Sequence, residues 1–435
     1  MTELAIDNKQ LFKFVFLRTR LLLVPVVFVL LYISFNISNG RLSSNKQSAV
    51  IISLMNETRR FKESSDSKLP IVLFWTPYFG NEMSYLFLQH PECPFKCLFT
   101  TNQSFADSAD VRVLHPPDFR DLFPPHNPTA LNAHLIFESP ANTPRKFFCL
   151  STLHDRCSDN KMFIADYFNI TISYHSQATI YYPYNEFVEI DGTETADQLW
   201  TQEQIEKAVM FKTKKVLVSI SNCHIVTSGR NAYVEALAKH IKITKVGSCY
   251  LQHVDDQTLH KLIAEHYFLL AFENSVCPEY TTEKYWRLKD LVVPVILSRG
   301  VTNSNNVLNG TFIAASDFES PRKLADYLNS LIDDKSKYMK YFEWTKKYRK
   351  TMNGDDVPAT LNSNTGCHLC RLATLKPTLP PVNIPEYWNQ EKCIGHYANE
   401  LLKQSDHFKD AEQQMSAFVR NTSRKRLGHG KVPSL

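Results

Sequence analysis

The stretch at 267–297 decides the fold, and it reads YFLLAFENSVCPEYTTEKYWRLKDLVVPVIL. Six apolar residues open it, which is typical of a strand buried on both faces. A polar loop and a short helical segment at 282–290 follow, and a second apolar run occupies 291–297. A strand, a helix and another strand in such close succession predict a βαβ unit in a parallel sheet.

The same alternation extends to both sides of this stretch. Apolar runs at 215–220, 243–246 and 311–315 predict further strands. Helices are predicted at 231–241 and at 321–331, and Pro321 suits the first turn of the second one. Together these elements predict a doubly wound α/β domain over 201–355, which would bind ligands at the carboxyl ends of its strands.

A first α/β domain is predicted over 70–200. It opens with the apolar run at 71–75, and shorter runs follow at 111–114, 135–137 and 179–182. Proline-rich connections separate some of these runs, as expected between strands.

Residues 356–435 are predicted to form a cysteine-stapled extension and a tail, with Cys367, Cys370 and Cys393 as disulfide candidates. The Cys-x-x-Cys pair at 367–370 could instead be half a zinc site or a redox pair. No second ligand pair follows at finger spacing, which favours disulfides.

The N-terminal region predicts a membrane anchor. The run at 21–37 is apolar and uncharged, and the basic residues Lys9, Lys13, Arg18 and Arg20 precede it. This asymmetry predicts a cytosolic tail at 1–20, a transmembrane helix at 21–37 and a polar stem at 38–69. A cleaved signal peptide is the alternative, but the run is long for one and no small-x-small cleavage site follows.

Composition agrees with a lumenal body. The ten cysteines, an even number, suit an oxidising compartment. A formal net charge of +5 without a basic stripe gives no sign of nucleic-acid binding. Five Asn-x-Ser/Thr sequons are glycosylation candidates: Asn56, Asn102, Asn169, Asn309 and Asn421.

Residues 272–286 hold the densest cluster of chemically useful side chains. The N–H groups at the start of the predicted helix can hold a phosphate. Lys284 could meet a diphosphate as a point charge, and Glu283 could accept from both hydroxyls of a ribose. Tyr280 could bond a phosphate oxygen or a sugar. The alternative is an amphipathic helix start with surface charges.

This cluster resembles the signature of the α1,3-fucosyltransferases. That family reads Phe-Glu-Asn-Ser, a short gap, Asp-Tyr-Ile-Thr-Glu-Lys, an aromatic residue and later Val-Pro-Val. Here, 272–286 reads FENSVCPEYTTEKYW and 293–295 reads VPV. The Glu-Ser-Pro at 138–140, the Arg-x-x-Tyr at 230–233 and the late Cys-x-x-Cys are similar as well, so the resemblance covers roughly 70–395.

The resemblance implies a GT-B arrangement, in which two Rossmann-like domains face a cleft, in a Golgi type II membrane protein. It implies inverting transfer of fucose from GDP-fucose, in α1,3 linkage, to a GlcNAc-containing glycan. Glu138 matches the family's proposed general base, although on the sequence alone it could be a loop or capping carboxylate. The donor contacts carry onto Arg230, Asn274, Tyr280, Glu283 and Lys284.

We expect no required cofactor. Many lumenal transferases hold Mn²⁺ with an Asp-x-Asp triplet after a strand, and the sequence contains no such triplet. A divalent metal should therefore stimulate at most, with Arg230 and Lys284 providing the positive charge.

One segment departs from the family pattern. Where the family commonly has Tyr-Arg-Arg-Asp-Ser-Asp, residues 174–179 read YHSQAT, without either arginine or either aspartate. Glu279 also replaces an aspartate of the family. The alternative function is therefore a catalytically weak or inactive family member that binds a glycan or a partner in the Golgi.

Overall fold

The computed structural model describes residues 69–405, with gaps at 84–86, 88–92, 119–123, 125–126, 144–166, 224–226, 301–306 and 351–363. These residues belong to one compact unit, Leu69–Leu435. The predicted cytosolic tail and transmembrane helix, the predicted stem up to residue 68, and the sequon residues Asn56 and Asn421 lie outside the described residues. Within the described ranges, no helix has the length and apolarity needed to cross a bilayer.

The first sheet has six parallel strands in the order β2-β1-β3-β4-β5-β6. Every strand of this sheet except β2 and the end of β6 is buried. The apolar runs at 71–75, 111–114 and 179–182 predicted β1, β3 and β6, whereas β2, β5 and most of β4 were not predicted. Of the run at 135–137, only Leu135 belongs to a strand, and the next two residues lead to Glu138. The bounds are β1 Ile71–Phe74, β2 Leu98–Thr100, β3 Val111–Leu114, β4 Leu131–Leu135, β5 Ile170–Ser173 and β6 Ile180–Tyr181.

The second sheet has five parallel strands in the order β11-β10-β9-β7-β8, which confirms the predicted parallel α/β pattern. The βαβ unit predicted at 267–297 forms β9, a short helix and β10, and these two strands are neighbours. The bounds are β7 Lys214–Ser219, β8 Ile243–Val246, β9 His266–Leu270, β10 Val293–Ile296 and β11 Ile313–Ala314.

Several helices begin at capping signals that the sequence carries. Thr201 and Gln204 form a capping box at the start of α1, and Ser320 accepts from the backbone N–H of Lys323 at the start of α5. The bounds are α1 Gln202–Phe211, α2 Arg230–Ala238, α3 Asp256–Glu265, α4 Glu283–Trp286, α5 Pro321–Asp333, α6 Lys335–Met339, α7 Thr365–Leu375 and α8 Ile384–Tyr387.

The C-terminal part is bonded to both sheets. Leu369 and Ala373 of α7 are buried in the core of the first sheet, and Cys367 and Cys370 form disulfides with Cys93 and Cys97. The Cys-x-x-Cys pair is therefore neither half a zinc site nor an internal redox pair. Cys393 forms a disulfide with Cys277, and Cys249 pairs with Cys223 beside the second sheet.

Gly247 allows a close approach between the loops that follow β7 and β8. It has a φ of +102°, and a Cβ built on it would lie 2.3 Å from the carbonyl oxygen of Ile220. Because alanine here meets both backbone strain and a backbone clash, we expect Gly247→Ala to lower the free energy of unfolding by about 3 kcal/mol or more. Denaturant titration measures this loss.

Gly310→Ala is the matched control. Gly310 also has a positive φ, +85°, but a Cβ built on it would have no other atom within 4 Å. Gly310→Ala should therefore lower the free energy of unfolding only by the strain of a left-handed alanine, about 1–2 kcal/mol. Equal losses for the two substitutions would contradict the close approach.

Candidate functional site

Polar side chains from both sheets meet at a cleft of ≈390 Å³. The chain leaves β7 towards β8 on one side and returns as β9 on the other, so β7 and β9 enclose a switch in strand order. Open α/β sheets bind ligands at the carboxyl ends of such strands. The residues predicted for donor binding and catalysis all line this cleft: Glu138, Arg230, Asn274, Tyr280, Glu283 and Lys284.

Lys284 provides a fixed positive charge in the cleft. Its Nζ donates to Glu273 Oε2 at 3.0 Å, Glu283 Oε1 at 3.0 Å and Thr282 Oγ1 at 2.8 Å. Although burial opposes it, the carboxylates of Glu273 and Glu283 raise the pKa of Lys284, which therefore stays charged at neutral pH. A held ammonium at this edge of the sheet suits an anionic ligand such as a diphosphate.

Arg230 is a second cation, and only 2% of it is exposed. It is the first residue of α2 and follows Gly229, whose φ is +73°. Its Nη1 donates to Phe272 O at 2.8 Å and its Nη2 donates to Asn222 O at 2.9 Å. Its Nε has no partner among the described residues, and a buried donor of this kind is costly until it binds an acceptor.

Glu138 lies three residues after β4, on the first sheet's side of the cleft. Its Oε1 accepts four hydrogen bonds: from Tyr280 Oη at 2.8 Å, Ser139 N at 2.9 Å, Asn274 Nδ2 at 3.3 Å and Asn142 Nδ2 at 3.4 Å. Within the described part of the chain, no hydrogen-bond donor contacts its Oε2. The carboxylate is thus held by one oxygen and keeps the other for a ligand.

Tyr280 and Asn274 therefore have a role that the sequence did not indicate. Both were predicted as donor contacts, and the structure places both against Glu138. Burial, and then the neighbouring Tyr184 and Glu138, raise the pKa of Tyr280 well above its usual value of 10.0. The phenol therefore stays protonated and donates to the carboxylate.

The divergent segment at 174–179 contacts the motif loop through neutral groups. Ser176 donates to the Glu279 carboxylate through its backbone N–H at 2.6 Å and through its hydroxyl at 2.8 Å. Glu279 adopts a left-handed φ of +60°, which is uncommon for a residue other than glycine. Ser139 and Ser275 form another contact between the two sheets, with their hydroxyl oxygens 2.7 Å apart in a buried position.

Three residues in or beside the cleft were not singled out from the sequence. Glu273, which pairs with Lys284, stands inside the quoted motif and could have been singled out as the acid beside the lysine. Asn222 accepts from Arg230 through a backbone carbonyl, for which no side-chain pattern exists. Tyr184 lines the cleft and donates to Phe137 O at 2.6 Å, a contact between distant segments.

The sequon residues within the described ranges differ in accessibility. Asn102 and Asn309 are exposed. Asn169 is half-buried, and its Nδ2 donates to Leu379 O at 3.2 Å. In those same ranges, no group of three or more His, Cys, Asp or Glu side chains could hold a metal ion.

Two family models match the chain. Residues 67–185 match the model described as fucosyltransferase, N-terminal, and residues 209–381 match glycosyltransferase family 10 (fucosyltransferase), C-terminal. Each of the two sheets falls within one of these matches.

Several curated proteins are similar over about two thirds of this chain. The α-(1,3)-fucosyltransferase fut-1 of Caenorhabditis elegans is 29% identical over 313 residues, which are 68% of this chain and 66% of the relative. The human 4-galactosyl-N-acetylglucosaminide 3-α-L-fucosyltransferase FUT6 is 28% identical over 302 residues, which are 67% of this chain and 77% of that protein.

Solved structures also match. An α1,3-fucosyltransferase with GDP is 16% identical with a TM-score of 0.45, and covers 73% of this chain and 93% of the solved chain. An α1,3-fucosyltransferase with GDP-fucose is 15% identical with a TM-score of 0.44.

Lys284→Met tests the cleft as a diphosphate site. It removes the charge and keeps most of the side-chain volume, so the dissociation constant for GDP should rise about tenfold or more by calorimetry. Lys245→Met is the matched control, because Lys245 pairs with Glu235 at 2.6 Å and lies outside the cleft lining. Unchanged GDP affinity in Lys284→Met would remove the lysine from the site.

Proposed function

We propose that this chain, which belongs to glycosyltransferase family 10, the fucosyltransferases, transfers fucose from GDP-fucose in α1,3 linkage to a GlcNAc-containing glycan. The acceptor would be carried by a glycoprotein or a glycolipid. The observation that carries the proposal is one cleft that holds two fixed cations beside a carboxylate with one unoccupied oxygen. That is the equipment required to bind a nucleotide diphosphate and to activate a hydroxyl group.

The donor half of the proposal rests on charge. Arg230 and Lys284 would bind the diphosphate and stabilise the negative charge that develops as GDP leaves. Glu283, whose side chain is 60% exposed at the mouth of the cleft, would accept from the ribose hydroxyls. Asn274 and Tyr280, which hydrogen-bond to Glu138, would also contact the nucleotide sugar, because both residues line the same cleft.

The acceptor half of the proposal rests on Glu138. Its free Oε2 would take the proton from the acceptor hydroxyl while that oxygen attacks the anomeric carbon of fucose. The new carbon–oxygen bond forms on the face opposite the breaking bond to phosphate, so the anomeric configuration inverts. GDP leaves with the electron pair, and the proton remains on Glu138 until solvent removes it.

The finer architecture is part of the same proposal. The two sheets would form the two Rossmann-like domains of a GT-B arrangement, with acceptor binding on the first and donor binding on the second. The supporting observation is that Glu138 follows a strand of the first sheet whereas both cations follow strands of the second.

No step of the proposed reaction needs a metal ion. We therefore expect fucose transfer to persist in the presence of EDTA.

We also propose that the protein acts in the Golgi as a single-pass type II membrane protein, with residues 21–37 as its anchor and the glycan-modifying body in the lumen. The apolar run after basic residues supports this orientation. The disulfides, which are stable in oxidising compartments, support the lumenal side.

A catalytically weak or inactive glycan-binding protein is the second candidate, favoured by the missing Arg-Arg-Asp-Ser-Asp segment. The contacts of the cleft disfavour this candidate. Ser176 and Glu279 still link the divergent segment to the motif loop, and Glu138, Arg230 and Lys284 are all present in the cleft.

Glu138→Gln separates the two candidates. The full-length chain in detergent is given labelled GDP-fucose and a panel of core N-glycan, LacNAc and LacdiNAc acceptors. Because the amide cannot take the proton, kcat should fall roughly 10²–10⁴-fold while GDP affinity is retained. Glu203→Gln, on the exposed face of α1, is the control and should transfer like the wild type. Absence of transfer by the wild-type chain to every acceptor would favour the binding-only candidate.

A further inference from the structure

Phe79 is a large apolar residue in an exposed and unfavourable position. It is 55% exposed and has a φ of +46°. The left-handed region is energetically unfavourable for a bulky side chain. Strain of this kind persists only where surrounding contacts impose it, and it concentrates at binding sites.

A network of hydrogen bonds imposes this conformation. The backbone N–H groups of Phe79 and Gly80 both donate to the Asp118 carboxylate. Tyr78 and Asn81 close the turn with reciprocal backbone bonds of 2.8 and 3.0 Å. We call these four residues, Tyr78–Phe79–Gly80–Asn81, the aromatic turn.

The buried His115 side chain holds the Asp118 carboxylate in place. Its Nδ1 lies 2.7 Å from Asp118 Oδ2, and its ring contacts the rings of Tyr78 and Phe79 at centroid distances of 4.8 and 4.9 Å. Although Asp118 opposes it, burial lowers the pKa of His115, so that the neutral ring donates to the carboxylate at neutral pH. The turn is therefore braced by a completely buried side chain.

The aromatic turn lies where the first sheet should bind a ligand. The chain leaves β1 towards β2 on one side and returns as β3 on the other, so β1 and β3 enclose the switch in strand order of this sheet. The aromatic turn follows β1, and His115 and Asp118 follow β3. The first sheet thus has its own ligand position, equivalent to the one that the cleft occupies in the second sheet.

The aromatic turn is also continuous with Glu138. The Tyr78 ring contacts the Phe137 ring at a centroid distance of 5.8 Å, and Phe137 directly precedes Glu138. Along the edge of the sheet, β1 and β4 are separated by β3 alone, which amounts to roughly 10 Å. Linked sugars of one oligosaccharide can span that distance.

We infer that Phe79 is a stacking platform for a neutral sugar of the acceptor glycan, beyond the sugar that receives fucose. The C–H groups on one face of a pyranose carry partial positive charge and pack on the negative face of an aromatic ring. A ring held at a fixed angle loses little conformational entropy when it binds such a sugar. The inference deepens the proposed function and rests on it.

The test separates binding from folding. In the full-length chain, Phe79→Gly removes the ring and also relieves the left-handed strain, because glycine adopts a positive φ readily. We therefore expect unchanged or increased thermal stability together with about a tenfold rise in KM for a complete biantennary N-glycan or a LacNAc oligomer. KM for GDP-fucose and the rate with a minimal acceptor, a single GlcNAc glycoside, should stay unchanged.

Phe79→Trp keeps an aromatic face and should restore a KM near that of the wild type. Phe211→Gly is the matched control for ring removal, because Phe211 is 57% exposed at the end of α1, away from both switch points. It should leave every KM unchanged.

A glycan array probed with each variant in the presence of GDP gives a readout that needs no turnover. Weaker array binding by Phe79→Gly than by wild type supports the platform even if the wild-type chain transfers no fucose, which would defeat the proposed function alone. Equal KM values and equal array binding for wild type and Phe79→Gly would overturn the platform whatever the activity. An equal loss with the single GlcNAc glycoside would also overturn it, since the effect would then lie at the reacting sugar.

Discussion

The cleft depends on one carboxylate oxygen. Glu138 Oε1 accepts from Tyr280 and Asn274, which belong to the loop after β9, whereas Glu138 itself follows β4 of the other sheet. Hydrogen bonds to a charged group are about twice as strong as neutral ones, so this contact fixes the carboxylate and joins the two halves of the cleft. Tyr280 and Asn274 line the same cleft as Arg230 and Lys284, so the contact places the carboxylate beside both cations.

Other contacts keep the motif loop in register with Glu138. The hydroxyls of Ser139 and Ser275 lie 2.7 Å apart, and Ser176 binds Glu279. From the opposite side, Ile394 donates to the carbonyl of Val276 next to the Cys277–Cys393 disulfide. The loop is thus fixed from the first sheet and from the C-terminal segment. This bracing makes a positive φ at Glu279 tolerable, and it joins the uncharged segment at 174–179 to the motif loop through Ser176.

Local patterns predicted much of the fold and of the site. The apolar runs predicted most of the parallel strands, because a strand buried on both faces is usually continuously apolar. Tyr280, Glu283 and Lys284 stood in one motif, whereas Arg230 came from a separate stretch of the sequence. The contact between Glu138 and Tyr280 spans 142 positions and has no local signature. Helix α1 was missed because only Ile205 and Val209 of its ten residues are buried, although its capping box was visible in the sequence. Phe79 was not predicted as a site residue, because its distinguishing feature is a left-handed backbone conformation that the sequence does not indicate.

The packing of α7 has a consequence for synthesis of the protein. Leu369 and Ala373 complete the core of the first sheet, which begins at Ile71, and the Cys93–Cys367 disulfide joins positions 274 residues apart. A ribosome makes the chain from the N-terminus, so the first sheet emerges long before the helix that covers it. The apolar face of the first sheet therefore remains exposed, or bound by chaperones, until the second sheet and α7 have been synthesised. The first sheet is thus synthesised first but can complete its folding only after the second sheet has been made. A stop codon anywhere before position 365 would leave the first sheet without α7, which packs on its core.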